Sequence, residues 1–385
     1  MTGAVRLSLD VSAVPINPAG AGQYTVGLAR ALHERPDVEL TLIARSDDGE
    51  RWERLAAGAA VEAVAPAHRP LRLAWEQTRL PRRLRRLPVQ VHHGPHYTMP
   101  EASALPRVVT IHDLTFFDHP EWHQRTKVPL FRRAIRVAAR HADALVCVSA
   151  STAERLAEIC PPAGPVHVVP HGLDHDRFRP DEPAPGADAA ALAGLGVTGP
   201  YVAFVGTLEP RKDVPTLVRA FDRMCSAHPG LRLVVAGGAG WGAGAVDQAT
   251  AEAQHADRIV RTGYVADEVV AALLRKAAAV AYPSLEEGFG LPALEALACG
   301  APLVTTTGSA MQEVVQGAAV LVAPGDVDGL AGALDLLVRR DDGLPARRTR
   351  GLAVAARHTW AASADGHLAA YRAAIAAGGR REKAG

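Results

Sequence analysis

Residues 278–300 read AAVAYPSLEEGFGLPALEALACG, which is an apolar run, a glycine-containing loop and a second apolar segment. The run ending at Tyr282 predicts a buried strand, and Pro292 predicts the start of a helix, because proline is favoured in a helix's first turn. Gly288 and Gly290 let the backbone approach a ligand closely, and the helix N-terminus offers free N–H groups to an anion. The stretch therefore indicates a strand–loop–helix unit that binds an anionic ligand.

The same alternation of apolar runs and amphipathic segments extends over most of the chain. Near-continuous apolar strands separated by helices indicate parallel sheets covered on both faces. We therefore expect an α/β protein with two doubly wound domains, residues 1–180 and 201–358. A proline- and glycine-rich linker at 181–200 joins them, and a helix and tail follow at 359–385. Such sheets bind ligands at the carboxyl ends of their strands, so we expect a site in a cleft between two facing domains.

The composition excludes several other classes of protein. The chain has 385 residues and a net charge of +1, which excludes a histone-like or acidic-tail protein. We find no signal peptide and no stretch that approaches the ~20 apolar residues of a spanning helix, so we expect a cytoplasmic protein. The cysteines have no zinc-site spacing and are expected to be reduced; they are Cys147, Cys160, Cys225 and Cys299.

Two glutamates flank the glycine loop, Glu287 before it and Glu295 one turn inside the helix, so that one can reach a sugar and the other a ribose. The alternative is an ordinary strand–loop–helix with a solvated Glu295. The segment resembles the E-x7-E signature of retaining glycosyltransferases of family 4, which have the GT-B fold. The resemblance implies that Glu287 contacts donor-sugar hydroxyls, that Glu295 binds the nucleotide ribose, and that the backbone of Phe289, Gly290 and Leu291 holds the diphosphate.

Further landmarks of that family occur in order along nearly the whole chain, and the family's C-terminal helices cross back to the N-terminal domain. Residues 204–212, FVGTLEPRK, place Arg211 and Lys212 just past a predicted strand. Fixed cations there would stabilise a diphosphate leaving group, as the corresponding pair does in the resembled family. Gly206 and Thr207 belong to the same donor-binding loop, although many members carry Arg at the position of Thr207. The alternative is a solvated turn.

The loop PAGAGQYT at residues 18–25 follows the first predicted strand. It does not match a dinucleotide fingerprint, which would need glycine at Thr25. It matches the family's first strand–helix loop, which implies that Gly20 and Gly22 bring N–H groups toward the donor phosphate and the acceptor. The alternative is a plain glycine-rich turn.

His112 ends another predicted strand, in the context VTIHDL. A lone histidine at a strand end is commonly structural, but this context resembles the family motif whose histidine contacts the donor sugar, without having to act as a general base. Tyr264 and Val265 follow a further strand, where the family receives the nucleotide base.

We expect no metal and no cofactor, since the nucleotide sugar is itself a substrate. Two D-x-D strings, at residues 174–176 and 326–328, have the pattern by which another glycosyltransferase class holds Mg²⁺ or Mn²⁺. The first borders the predicted linker and the second starts a helix, where aspartate interacts favourably with the N-terminal charge. Arg211 and Lys212 make a metal unnecessary.

Residues 65–140 carry 14 Arg and Lys against five Asp and Glu. Within that basic stretch, residues 79–87 interleave five arginines with three leucines, which is typical of a basic amphipathic helix on an anionic membrane surface. We therefore expect peripheral contact with the inner face of the cell membrane, with a solvated helix face as the alternative. Nucleic-acid binding is not expected, because no recognised motif or aromatic stacking platform accompanies the arginines.

Together these features predict a metal-independent retaining glycosyltransferase. It would move a sugar, with GDP-mannose as the first donor and a UDP-sugar as the second, to a saccharide or lipid-linked acceptor. The resemblance to bacterial mannosyltransferases of cell-surface polysaccharides favours mannose. An epimerase or sugar phosphorylase on similar architecture, or a binding module without turnover, are the alternatives. A phosphorylase would usually need a pyridoxal-phosphate lysine, and Lys276 lacks such a context.

Overall fold

The computed structural model describes residues 3–384, with side chains described up to Gly378. The chain forms two compact units. The first comprises Met1–Gly172 together with His358–Gly385, and the second comprises Leu173–Arg357. Each unit is built around one parallel sheet, as the sequence predicts.

The first unit has a seven-stranded sheet in the order β3-β2-β1-β4-β5-β6-β7, in which every neighbouring pair is parallel. Its strands are β1 (Val5–Asp10), β2 (Val38–Arg45), β3 (Ala60–Ala65), β4 (Val91–Gly94), β5 (Arg107–Ile111), β6 (Ala144–Cys147) and β7 (Val166–Val168). Its helices up to β7 are α1 (Ala21–His33), α2 (Gly49–Leu55), α3 (Arg69–Thr78), α4 (Leu80–Leu84), α5 (Thr115–Asp118), α6 (Lys127–His141) and α7 (Ala150–Ile159).

The second unit has a six-stranded parallel sheet in the order β10-β9-β8-β11-β12-β13. Its strands are β8 (Tyr201–Val205), β9 (Arg232–Ala236), β10 (Ile259–Gly263), β11 (Ala279–Tyr282), β12 (Leu303–Thr306) and β13 (Val320–Val322). Its helices are α8 (Ala187–Ala193), α9 (Val214–Met224), α10 (Ala243–Glu252), α11 (Asp267–Lys276), α12 (Leu291–Ala298), α13 (Ala310–Val315), α14 (Val327–Val338) and α15 (Leu344–Arg357).

The last helix, α16 (Trp360–Ala384), returns to the first unit, in agreement with the predicted crossing of the C-terminal segment. Its Leu368 and Tyr371 join the core formed by β1, α1 and β2. Trp360, the first residue of this helix, packs against Gly27 of α1. A Cβ at position 27 would lie 2.2 Å from the Trp360 ring, so this contact requires glycine. The helix is therefore an integral layer of the first unit.

The residues predicted as a linker, 181–200, are part of the second unit instead. They include α8, which packs against α11. Asp188 of α8 is 1% exposed and pairs with Arg275 of α11 at 2.7 Å. The sequence of this segment predicts a linker because it is rich in alanine, glycine and proline, and because the partner of the buried Asp188 lies 87 positions away.

The basic stretch differs from the predicted amphipathic helix in one respect. Leu80 and Leu84 of α4 are fully buried, in a core cluster with Ile43 and Val89. They therefore stabilise the domain and do not face outward with the arginines. Among the helices of residues 3–384, none combines the length and the apolar character needed to cross a bilayer.

The order of the strands identifies where ligands are expected. The chain order reverses between β1 and β4 in the first sheet and between β8 and β11 in the second. In doubly wound sheets, ligands bind at the carboxyl ends of the strands beside such a reversal. In the second unit the loops at this point carry Arg211, Lys212 and Glu287, and in the first unit they carry Gly20 and Gly22.

Candidate active site

The two predicted cations of the second unit lie in a short 3-10 turn, Pro210–Lys212, which follows β8. Lys212 is buried, with 7% of its surface exposed, whereas Arg211 is partly exposed. The backbone carbonyl of Arg211 accepts a hydrogen bond from the N–H of Leu285 at 2.8 Å. This bond joins the loop after β8 to the loop after β11.

Glu287 lies between these cations and pairs with both of them. Arg211 Nη1 donates to Glu287 Oε2 at 2.5 Å, and Lys212 Nζ donates to Oε1. Ser284 Oγ also donates to Oε1, at 3.0 Å. Burial by itself would raise the pKa of Glu287, but the two cations outweigh it and lower the pKa to about 2. The structure thus brings together three of the four predicted catalytic residues, with Glu287 ionised.

Glu295 lies in α12, which begins at Leu291 after Gly290. Gly290 has φ of 98°, and a Cβ there would lie 2.7 Å from the Met311 side chain, so this turn requires glycine. Phe289 beside it is buried, 5% exposed. Burial of the Glu295 carboxyl, and then the nearby charge of Asp267, raise its pKa to about 8. Glu295 is therefore mostly protonated at neutral pH and can donate a hydrogen bond.

Replacing Glu295 by Gln is expected to reduce the loss of stability in alkaline solution. A folded-state pKa raised above the ordinary 4.5 means that this contribution to stability is complete below about pH 4.5 and is lost as the pH rises through about 8. Gln does not ionise, so the Tm of Glu295→Gln should fall less than that of the wild type between about pH 6 and pH 9. Circular dichroism melts measure the Tm of the two proteins at each pH. An equal fall in Tm for the wild type and for Glu295→Gln would contradict the raised pKa of Glu295.

A glycine-rich loop after β9, residues 237–242, supports the donor loop and was not predicted as part of the site. Leu208 N–H donates to the carbonyl of Gly238 at 3.1 Å. A Cβ on Gly237 would lie 2.0 Å from the carbonyl oxygen of Gly206, and one on Gly240 would lie 3.1 Å from Thr207 Cγ2. The sequence GGAGWG after an apolar strand is the signal that could have identified it.

Tyr264 and Val265 lie at the carboxyl end of β10, the edge strand of the second sheet. Tyr264 is 68% exposed, and Val265 is buried. Two strands separate them from β11, after which Glu287 lies. Tyr264 therefore presents an exposed aromatic ring at the edge of the second sheet.

His112 of the first unit follows β5 and is 8% exposed. Its Nε2 lies 2.8 Å from the carbonyl oxygen of Pro95, which can only accept, so Nε2 carries the proton. Burial lowers the pKa of His112, which favours the neutral ring. Nδ1 therefore holds the lone pair and can accept a hydrogen bond from a hydroxyl group.

The ring of Tyr24 lies against His112, with centroids 5.0 Å apart in an edge-to-face arrangement, and stacks on His171 at 4.8 Å. Tyr24 is fully buried, and its hydroxyl contacts Thr110 Oγ1 at 2.8 Å and His367 Nε2 at 2.7 Å. His367 belongs to α16, so the last helix contacts Tyr24, whose ring packs against His112.

The direction of each hydrogen bond in this network follows from one end of it. His367 Nδ1 must donate to the Ser363 carbonyl, at 2.7 Å, and burial lowers the pKa of His367 to about 4, so its Nε2 accepts from Tyr24. Tyr24 then accepts from Thr110, which accepts from His93 Nε2 at 2.8 Å. No other placement of the hydrogens satisfies all of these contacts, so the hydrogen-bond network around Tyr24 has a single set of donors and acceptors.

The predicted glycines of the first unit occupy the start of α1. Gly20 has φ of 50°, and a Cβ on Gly22 would lie 2.9 Å from Pro18 Cβ. Tyr97, which the sequence did not point to, is buried with φ of 64° and lies 5.7 Å from the His112 ring. A non-glycine residue in this conformation is strained, and such strain is concentrated at functional sites.

Within the described residues, one group of side chains combines metal-ligand types: Asp222, Cys225 and His255. Asp222 accepts from the N–H groups of Gln254 and His255, at 3.0 and 2.9 Å, and from His255 Nδ1 at 2.9 Å. Its carboxylate therefore ties residues 254–255 to α9. The group lies near the carboxyl end of α9, roughly 12 Å along that helix from the end that Lys212 precedes.

Two family models match the chain. The first, described as Glycosyltransferase Family 4, matches residues 18–177, and the second, described as Glycosyl transferases group 1, matches residues 199–340. The two matches cover the two structural units in turn, and each includes the site residues of its unit.

Known proteins agree with this assignment. O-antigen chain mannosyltransferase B of Escherichia coli is 29% identical over 81% of this chain and 80% of that protein. D-inositol 3-phosphate glycosyltransferase of Segniliparus rotundus is 37% identical over 55% of this chain, and the match spans about half (48%) of that protein. The structure of Anabaena HepE in complex with UDP and glucose has a TM-score of 0.72 and 19% identity, with 95% of this chain and 98% of that chain covered. The chain therefore belongs to the family 4 glycosyltransferases and has the GT-B fold.

Proposed function

We propose that this protein is a retaining, metal-independent glycosyltransferase that transfers mannose from GDP-mannose to a hydroxyl of a cell-surface saccharide or glycolipid. The observation that carries the proposal is the cluster of Arg211, Lys212 and Glu287 at the ends of β8 and β11. Two fixed cations there would face the donor diphosphate, which gains negative charge as the glycosidic bond breaks. They would supply the stabilisation that a divalent ion gives in other transferases.

Retention of configuration is proposed to proceed without a covalent intermediate on the protein. Glu287 is held by two cations and a hydroxyl, so it is a poor nucleophile. The donor phosphate would instead accept the proton of the acceptor hydroxyl while the bond to the sugar breaks, on the same face. His112 would accept a hydrogen bond at Nδ1 from a donor-sugar hydroxyl, because its Nε2 proton is committed to Pro95.

The donor is argued from the relatives. The E. coli protein is named as a mannosyltransferase, which supports GDP-mannose. HepE was solved with UDP and glucose, which supports UDP-glucose as the second candidate. The inositol 3-phosphate glycosyltransferases add a phosphorylated acceptor to the acceptors that deserve testing.

Donor hydrolysis without acceptor tests the proposal. We expect GDP-mannose to be hydrolysed faster than UDP-glucose, with release of the nucleoside diphosphate and free sugar, and we expect EDTA to leave the rate unchanged. Faster hydrolysis of UDP-glucose would reassign the donor. Loss of activity in EDTA with rescue by Mn²⁺ or Mg²⁺ would overturn metal independence, and conversion of the donor to its epimer would indicate the non-transferase alternative.

We further propose that the exposed arginines of α4 and its ends bind an anionic membrane surface by charge alone, since the leucines between them are buried. Each arginine near such a surface contributes about 1 kcal/mol, which salt reduces. We expect sedimentation with phosphatidylglycerol vesicles at low salt, release at high salt, and no binding to phosphatidylcholine vesicles. Changing four exposed arginines to Ser should abolish sedimentation; they are Arg79, Arg82, Arg85 and Arg86. Unchanged sedimentation of this variant would refute the proposal.

A further inference from the structure

The hydrogen-bond network around Tyr24 extends to a second residue of the last helix. The Tyr371 hydroxyl lies 2.9 Å from His93 Nδ1. Burial lowers the pKa of His93, so its ring is neutral, and because Nε2 donates to Thr110, Nδ1 accepts from Tyr371. One continuous line of hydrogen bonds therefore connects five side chains, each 0% exposed; in order they are Tyr371, His93, Thr110, Tyr24 and His367. We call this line the Tyr24 network.

The Tyr24 network begins and ends on the last helix. His367 and Tyr371 are four positions apart in α16, so they share one face of that helix. Between them the network passes through β4, β5 and α1, which carry His93, Thr110 and Tyr24. A displacement of α16 would therefore strain hydrogen bonds at both ends of the network and would reach Tyr24.

The composition of the surrounding core shows what the network contributes. Tyr24 and Tyr371 belong to the apolar core of the first unit, together with Leu368 and Ala374 of α16. Apolar side chains of similar volume would fill this space without the cost of removing five polar groups from water. A fully satisfied buried network, in contrast, holds its side chains in one orientation. The network therefore indicates a requirement for exact placement of the Tyr24 ring.

The Tyr24 ring connects the network to His112. It lies edge-to-face against the His112 ring, with centroids 5.0 Å apart, and it stacks on His171. The His171 ring in turn lies 5.9 Å from that of His112, in an edge-to-face arrangement. The hydrogen bond from Nε2 to Pro95 fixes one atom of the His112 imidazole, and these ring contacts limit rotation about that bond. The position of Tyr24 thus sets the direction in which His112 Nδ1 points.

We propose that His367 is a positioning residue for sugar transfer, which acts through Tyr24 on the orientation of His112. This inference rests on the proposed transferase function, in which Nδ1 of His112 accepts a hydrogen bond from a donor-sugar hydroxyl. Misplacing a contacting group by about 1 Å can slow a reaction by about 10²-fold. Loss of the network therefore slows the chemical step, whereas Arg211 and Lys212, which would bind the diphosphate, belong to the second unit and keep their contacts.

Two substitutions at position 367 separate the hydrogen bond from the packing. His367→Leu removes the acceptor of the Tyr24 hydroxyl, and we expect the kcat of GDP-mannose hydrolysis to fall by about 10-fold or more. His367→Gln can place its amide oxygen where Nε2 lies, so kcat should return to within about 3-fold of the wild type. The Kd of GDP, measured by titration calorimetry, should change by less than about 2-fold in both variants.

Tyr24→Phe tests the same hydrogen bond from its other side, because it keeps the ring and removes the hydroxyl. It should also lower kcat by about 10-fold, and Tyr24→Phe/His367→Leu should be no slower than His367→Leu, since both changes break one contact. Tyr201→Phe is the matched control. The Tyr201 hydroxyl donates to the carbonyl of Leu273 at 2.9 Å and is buried at the start of β8, so its loss should lower the Tm and leave kcat unchanged.

Three results would overturn the assignment: wild-type kcat in His367→Leu, no recovery in His367→Gln, or multiplied losses in the double variant. If His367→Leu melts below the assay temperature, Tyr24→Phe decides in its place, and wild-type kcat there refutes the proposal. If the wild type hydrolyses no nucleotide sugar, the proposed function fails. Nitrogen NMR of the His112 imidazole then still tests the positioning: its signals should shift in His367→Leu and not in Tyr201→Phe, and unshifted signals in His367→Leu would refute it.

Discussion

Lys212→Met is expected to slow sugar transfer by about 10²-fold or more. Lys212 is 7% exposed and its ammonium group is held by Glu287, and in the proposed complex its charge would be fixed beside the donor diphosphate. Removing one preorganised donor of this kind commonly costs a factor of 10² to 10³ in kcat. Single-turnover transfer with saturating donor measures the chemical step, and a rate within about 3-fold of the wild type would mean that the diphosphate is bound elsewhere.

The chain provides a matched control for this variant. Lys276→Met removes the same charge from the same unit, at a side chain that is 48% exposed and 3.7 Å from Asp188, and it should leave transfer nearly unchanged. Lys212→Met also leaves Glu287 with one cation instead of two. Removing one partner of a buried ion pair costs up to about 3–5 kcal/mol, so a circular dichroism melt must show that the variant is folded at the assay temperature.

Much of the fold was predictable because its signals are local. Most strands of the two sheets are short apolar runs, and the glycines and prolines between the runs mark the loops. The run predicted to end at Tyr282, for example, is β11 (Ala279–Tyr282). The site loops were predictable for the same reason. Arg211, Lys212 and Glu287 each follow an apolar run, and a parallel sheet brings the carboxyl ends of its strands to one edge.

What the sequence did not reveal depends on contacts between distant residues. Tyr24 and His367 share a hydrogen bond across 343 positions, and nothing near either residue indicates the other. The helix α8 was likewise mistaken for a linker, because its anchor Asp188 is paired with a distant arginine. The buried leucines of α4 show a further limit, since an amphipathic pattern does not tell whether its apolar side faces a membrane or the protein's own core.

The pairing of Glu287 with both cations leads to the second large effect. In the structure the Glu287 carboxylate forms ion pairs with Arg211 and Lys212, the two cations that the donor diphosphate would contact. A bound diphosphate would therefore compete with Glu287 for these cations. Glu287→Gln keeps the size of the side chain and removes its charge, which leaves the buried Lys212 without its carboxylate partner and Arg211 paired with Glu209. We therefore expect a nucleoside diphosphate to bind more tightly, by about 10-fold or 1.4 kcal/mol, while transfer slows by about 10²-fold because the sugar contact is lost.

Opposite changes in affinity and rate distinguish this role from a merely structural one, because a variant with a damaged site would lose both. Glu209→Gln is the matched control. Among the residues that the structure describes, Glu209 pairs with Arg211 alone, at 2.8 Å, and its side chain is 20% exposed. Loss of its charge should therefore tighten nucleotide binding less and leave transfer close to the wild-type rate. Titration calorimetry with GDP and UDP measures the affinities. Weaker nucleotide binding in Glu287→Gln would contradict the competition, because it would mean that the carboxylate holds Arg211 and Lys212 in the geometry that the diphosphate needs.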